Sequence, residues 1–279
     1  MEPSASWIKH RPAPALARHV DHYIGYRLAG FEPGLHRGLP SPNMTLIASI
    51  GPSIDIVRQV DPTQSAASYG CVVGGLHARP AFISHGGYQE GVAISLTPLG
   101  CRAVLGMPPK ALVSVSAELA DVAGPAGREL WHRLQGTTSW QERFAACDEV
   151  LGRLAEPDAT TPPDLVHAWQ VLLESGGSAP IREIADRLGW SRQYFARRFD
   201  GEFGLAPKLA ARVIRFARVR LMLESTPPFV TLAQVAAACG YYDQAHLDRD
   251  FAEFAGCSPT AWLAAEQVPF VQDDAETHA

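Results

Sequence analysis

Residues 181–207 read IREIADRLGWSRQYFARRFDGEFGLAP, and residues 232–259 read LAQVAAACGYYDQAHLDRDFAEFAGCSP. The two stretches are the same arrangement written twice. Ile181, Ile184, Ala185 and Leu188 fall at i, i+3, i+4 and i+7, and Leu232, Val235, Ala236 and Cys239 repeat that spacing. Each set is one apolar stripe on a helix. Gly189 or Gly240 follows at once and allows a left-handed turn. A second short helix then carries an inward pair, Phe195 with Phe199 or Leu247 with Phe251, and each copy closes on Gly-x-x-Pro. The two glycines lie 51 residues apart and Phe199 lies 52 from Phe251, so the second turn holds one extra residue. A helix, a tight glycine turn and a second helix form the unit that places a helix in a DNA groove.

Outward from this repeat, residues 165–174 read as a leading helix and residues 207–224 as a long linking helix with Ala210, Ile214, Ala217 and Leu221 on its inner face. Pro227 and Pro228 are expected to end it. Thr231 and Gln234 form a capping box for the next helix. Residues 156–164, EPDATTPPD, mark the domain boundary. The expected division is 1–157 as an N-terminal domain, 158–164 as linker, 165–268 as DNA-binding domain and 269–279 as a flexible tail. Proline and glycine punctuate short apolar runs at 44–50, 54–57, 71–73 and 91–96, which read as strands. Helices are expected near 16–26, 122–135 and 140–154. The fold class is therefore α+β and multidomain: a β-rich sensor-like N-terminal domain with helices, then an all-α domain of two helix-turn-helix units joined by a long helix.

The 279 residues carry a net charge of −5, which runs against DNA binding until charge is mapped locally. Residues 181–222 hold ten cations and four anions, a local excess of six. Local charge governs attraction to phosphate. From 231 to 267 the balance reverses, with Arg249 facing Asp243, Asp248, Asp250, Glu253 and Glu266. The five scattered cysteines include no Cys-x-x-Cys, a pattern of reduced thiols in a cytoplasm. The N-terminus has no apolar signal core, and no apolar run is long enough to span a membrane.

These residues resemble the DNA-binding domain of the AraC/XylS family of transcription regulators. The likeness covers about a hundred residues and includes both motifs, the linking helix, the unequal turns and both Gly-x-x-Pro endings. GYYDQAHLDRDFAEFAGCSP is close to the family signature. LPSPNMTLIASIG and GVAISLTPLGCRAVLGMPPKALVSV resemble the sensor-like domain of a less studied AraC-type subgroup, which implies architecture and no chemistry. On the first recognition helix Ser191 reads as N-cap, Gln193, Ala196 and Arg197 share the outer face, and the family's base-reading positions fall on those three. Arg192, Arg198 and Arg215 are the candidate phosphate contacts. On the second, the family's positions fall on Gln244, Ala245, Asp248 and Arg249. There Asp248 repels phosphate unless it accepts from a cytosine amino group or pairs with Arg249.

Weaker signals have ordinary alternatives. His19 and His22 could share a metal, but a third ligand is missing, so no metal is expected. His77 and His85 could line a pocket or sit in loops. Tyr23, Tyr26, Tyr69, Phe82 and Tyr88 could wall an apolar cavity or fill a core. Cys71 and Cys101 could sense oxidation, although nothing nearby predicts a low thiol pKa. The stripe Trp140, Phe144, Cys147, Leu151 and Leu154 could pack on its own domain or against a second chain. No cofactor, metal or catalytic constellation is expected. The expected partners are double-stranded DNA, a small-molecule effector, a second copy of the chain and, for an activator, RNA polymerase, with no membrane. The alternative is an N-terminal module that binds a protein and no ligand.

Overall fold

Strand β9 (Gln89–Leu96) is buried at every position, so both of its faces are covered. Alternation sends Val92, Ile94 and Leu96 into one core and Ala93 into another. The computed structural model, which describes residues 3–156, 159–225 and 230–265, shows why. β9 is central in a six-stranded antiparallel sheet that also contains β1 (Ser4–His10), β2 (Val20–Ala29), β4 (Met44–Ser49), β7 (Cys71–Gly74) and β10 (Ser116–Glu118). Helices cover one face. A four-stranded sheet of β3 (Gly34–Gly38), β5 (Ile54–Arg58), β6 (Ala67–Tyr69) and β8 (Ala81–His85) lies toward the other.

The covering helices are α1 (Pro98–Leu105), α2 (Leu119–Ala123), α3 (Pro125–Gln135) and α4 (Trp140–Leu154). Trp140 lies flat on β2 at Gly25, where a Cβ would sit 2.4 Å from the indole. Phe144, Cys147 and Leu151 are at most 2% exposed within the same core. The Trp140-to-Leu154 stripe thus packs on its own sheet and is not free for a second chain. The expected helix at 16–26 is corrected: Pro14–Leu16 form a 3₁₀ turn and β2 follows, paired with both β1 and β9. His22 therefore sits on a strand, and no cluster of metal-ligating side chains occurs among the described residues.

The helical half comprises α5 (Pro163–Glu174), α6 (Ile181–Arg187), α7 (Arg192–Phe203), α8 (Pro207–Ser225), α9 (Leu232–Ala238), α10 (Gln244–Ala255) and α11 (Pro259–Ala265). Trp169, Phe195, Phe199 and Phe203 form an aromatic core under the first unit, with Trp169 and Phe203 ring centroids 4.5 Å apart. Phe216, Phe251, Phe254 and Trp262 do the same under the second. Pro157, Asp158, Pro227, Pro228 and the expected tail lie outside the described residues.

The two halves share cores. Leu105, Leu112 and Phe144 belong to one apolar cluster with Phe199, Phe203 and Leu205, and Leu39 is buried with Phe251 and Trp262 in the second unit. Arg102 of α1 donates two hydrogen bonds to Glu202 of α7, at 2.6 and 2.7 Å. Lys110 bonds Asp200 at 2.8 Å, and Val113 presses on the left-handed turn at Gly204. Thr161, buried in the connecting segment, also donates to Glu202, at 3.4 Å. Among the described residues no helix is long and apolar enough to cross a membrane.

Candidate nucleic-acid interface

The first helix-turn-helix unit is assembled by three local devices. Gly189, at φ +67°, makes the turn after α6. Ser191 caps α7, its hydroxyl accepting from the Tyr194 amide at 3.2 Å. Phe195 and Phe199, both 0% exposed, fix the rotation of the helix. That rotation leaves Arg192, Gln193, Arg197 and Arg198 exposed and Ala196 half-buried beside them. No ion pair engages these arginines among the described residues. Tyr194 stands between Arg197 and Arg198, their guanidinium carbons 5.5 and 5.9 Å from its ring centre. The aromatic face holds both cations on one side of the helix.

Arg215 sits differently from the other expected phosphate contacts. It is half-buried, donates to the Gly177 carbonyl at 2.8 Å and lies 5.5 Å from the centre of the Tyr241 ring. It ties the approach to the first unit to the turn of the second. Arg218, one turn further along α8, is exposed.

In the second unit the capping box of Thr231 and Gln234 opens α9, Gly240 at φ +75° makes the turn, and Asp243 caps α10 by accepting from His246 N at 2.7 Å. Gln244, Ala245 and Arg249 are exposed and Asp248 is half-buried. No ion pair joins Asp248 to Arg249 among the described residues, and one carboxylate oxygen of Asp248 is buried without a partner. The charge of this unit is less adverse than its composition suggests. Arg212 reaches across from α8 to Asp250 at 2.7 Å and also bonds Glu253. Those bonds outweigh desolvation and hold the Arg212 pKa above its ordinary value. Asp248 and Arg249 thus remain as the unpaired charges of α10, while Glu266 lies outside the described residues. Tyr242, just ahead of the helix, is 93% exposed. Sequence reasoning passed over Arg212, Tyr194 and Tyr242; the i, i+3 and i, i+4 spacing of Tyr194 with Arg197 and Arg198 was the available signal.

A family model described as a helix-turn-helix domain matches residues 167–265, both units together. The helical half of the chain is thus similar to helix-turn-helix domains of the AraC type. That domain is one of DNA-binding transcription regulators. A second model, a domain of unknown function (DUF6597), matches residues 8–118. No curated protein matches the chain significantly. Among solved structures, ToxT from Vibrio cholerae has 9% identity and a TM-score of 0.53, over 95% of this chain and 100% of that one. The unsaturated fatty acid-bound wild-type ToxT from Vibrio cholerae strain SCE256 has 12% identity and a TM-score of 0.52, over 98% and 99%. These likenesses are ones of fold across both halves. The DNA-binding domain of AdpA in complex with a target DNA has 28% identity and a TM-score of 0.35, over 37% of this chain and 93% of that one.

The N-terminal half also holds a cavity of about 110 Å³ between its two sheets. Tyr26, Ile47, Ile54, Val72, Ala81 and Gln89 are among its walls. Of the five aromatics suggested for such a wall, only Tyr26 reaches it. Tyr23 lies on the helix side and donates to Asp148 at 2.8 Å, Tyr69 donates to the Ser116 carbonyl, Phe82 stacks under Arg58, and Tyr88 bonds Glu90. Of the two histidines, His77 lines the cavity and His85 does not. Burial pushes the His77 pKa down to about 4, against the raising effect of its 2.6 Å bond to the Arg79 carbonyl. Burial raises the Cys71 thiol and pushes Cys101 up to about 12, so neither is poised as a thiolate.

Proposed function

We propose that the chain reads a specific double-stranded DNA site through α7 and α10, and that a small molecule in the N-terminal cavity adjusts that reading. One observation carries the first half: a row of exposed Gln193 and Arg197 with half-buried Ala196 between them, flanked by exposed Arg192 and Arg198, with no ion pair on these arginines among the described residues. Glutamine matches adenine and arginine matches guanine in the major groove, while Ala196 offers a methyl to thymine. Gln244, Ala245, Asp248 and Arg249 form the second, weaker reading surface, and Arg215 acts mainly as a brace.

Two contacts support effector control. Leu39 lines the cavity and is also buried in the core of the second unit. Ser114 and Val115 line it too, and Val113 beside them abuts Gly204 at the end of α7. The fatty acid-bound ToxT structure is consistent with a ligand in this fold. A second copy of the chain and, for an activator, RNA polymerase complete the proposed partners, in a cytoplasmic setting that suits the free cysteines. The chain acts by binding and not by catalysis.

The test is selection of a preferred site from random DNA, followed by Arg197→Ala. The substitution should weaken binding to the selected site by about 1–3 kcal/mol and relax preference at one base pair. Intact preference would show that α7 does not face the bases in this orientation.

A further inference from the structure

The composition of the cavity wall is unusual for a protein with a charged residue at nearly every fifth position. Among the described residues no Lys, Arg, Asp or Glu lines it. Strand alternation explains the exclusion. In β3, His36 and Gly38 face inward and Arg37 between them turns outward. Arg37 and Arg58 converge instead on the Phe82 ring, 5.7 and 3.5 Å from its centre. The strong cation cluster of the other sheet, Arg27 and Arg143 around Glu90, closes on that carboxylate and likewise does not line the cavity.

The polar side chains that reach the cavity include Tyr26, Gln89, His36 and His77. Tyr26 is 4% exposed, and its hydroxyl meets no hydrogen-bond partner among the described residues. Its ring lies across the paired strand at Gly91, where a Cβ would fall 2.7 Å from the hydroxyl. Burial raises the phenol pKa, so the group remains a donor. Gln89, two residues along β9, offers an amide beside it. His77, its Nδ1 engaged by the Arg79 carbonyl, keeps Nε2 as an acceptor when neutral. Apolar walls with a few convergent polar groups describe a small-molecule site. A hydroxyl that opens on the cavity marks where a ligand could complete the bonding.

The geometry points to an uncharged, single-ring-sized apolar ligand carrying a hydrogen-bonding group that meets Tyr26. The inference rests on the effector reading above and specifies its chemistry. An ionised carboxylate or ammonium would enter this space with no Lys, Arg, Asp or Glu side chain in the wall to pair it, and burying it unpaired is strongly unfavourable. The volume agrees: about 110 Å³ here, against about 150 Å³ for an apolar cavity that accepts benzene.

Three matched probes test this on the intact chain: benzyl alcohol, benzoate and benzylamine at neutral pH, read by the shift in melting temperature with probe concentration. A molecule that binds only the folded state raises the midpoint as its concentration passes Kd. Benzyl alcohol should raise it, and the two ions should not. Tyr26→Phe removes a hydroxyl with no hydrogen-bond partner among the described residues, so it should leave the midpoint without probe in place and weaken benzyl alcohol binding about two- to tenfold. Ala93→Leu, which fills the cavity from β9, should abolish the shift. Equal shifts with benzoate or benzylamine would overturn the ligand class and leave the effector reading standing. A benzyl alcohol shift untouched by both substitutions would place binding outside this cavity and overturn the inference. No shift with any probe would overturn both the class and the effector reading.

Discussion

Removing Arg102 should destabilise the protein more than removing Glu202, and removing both should be less damaging than removing Arg102 alone. Glu202 is buried, its side chain 5% exposed, whereas Arg102 is 32% exposed. Arg102→Ala leaves an anion in the shared core of the two halves with only the 3.4 Å bond from Thr161. Breaking a buried pair in this way costs about 3–5 kcal/mol. Water can enter from the exposed side of Arg102, so the lower end, about 3 kcal/mol, is expected. Glu202→Ala leaves a guanidinium that can hydrate and loses only the net worth of one part-exposed bidentate contact, about 1.5–2 kcal/mol. In the double variant no stranded charge remains, so its cost should match that of Glu202→Ala, about 1.5–2 kcal/mol. Adding Glu202→Ala to Arg102→Ala therefore recovers about 1 kcal/mol. Urea unfolding of the four chains, followed by tryptophan fluorescence, measures the cycle. Equal single costs that simply add would refute the account of a buried, one-sided pair.

Two further outcomes follow from charges already described. Asp248→Asn should raise affinity for random DNA more than for the selected site, because phosphate repulsion acts on every sequence alike; titration of both DNAs at one salt concentration measures this, and loss on the selected site alone would show that Asp248 accepts from a base. Glu90 has its pKa pushed down to about 2, since bonds from Arg27, Tyr88 and Arg143 overcome the opposing effect of burial. A depressed folded pKa gives stability that is present above the ordinary value of 4.5 and is lost as pH falls toward 2. Glu90→Gln should be less stable at neutral pH and should flatten the urea-midpoint profile across that window; parallel profiles would remove Glu90 from the account.

The helix-turn-helix repeat was legible because its signals are local. Helical spacing, a glycine at each turn and an inward aromatic or leucine at fixed offset are enough to orient α7 and α10, and α4 is read with the same bounds the structure gives it. The start of the chain misled for an equally local reason. Leu16, Val20 and Ile24 recur every four residues and imitate a helical stripe, yet Val20 and Ile24 belong to a strand buried on both faces. β1 and β3 were missed because an edge strand with a burial pattern as open as that of Ser4–His10 carries no apolar alternation. The exposure of the candidate residues on α7 and α10 was legible, and the long-range pairing around them was not. Arg212 and Asp250 are 38 residues apart and Arg102 and Glu202 are 100 apart, and no spacing rule reaches that far.

Leu39 touches the empty space between the sheets and the packed interior beneath the second reader at once. A substitution there that reshapes one also disturbs the other. If the cavity takes an effector as proposed, a change of ligand preference through this residue would disturb the second unit in the same step, and a lineage adapting the two would be pushed toward positions such as Val72 or Ile54, which face the cavity and lie outside that unit's core. The placement of one leucine thus divides the wall into a part free to diversify and a part bound to the regulator's output.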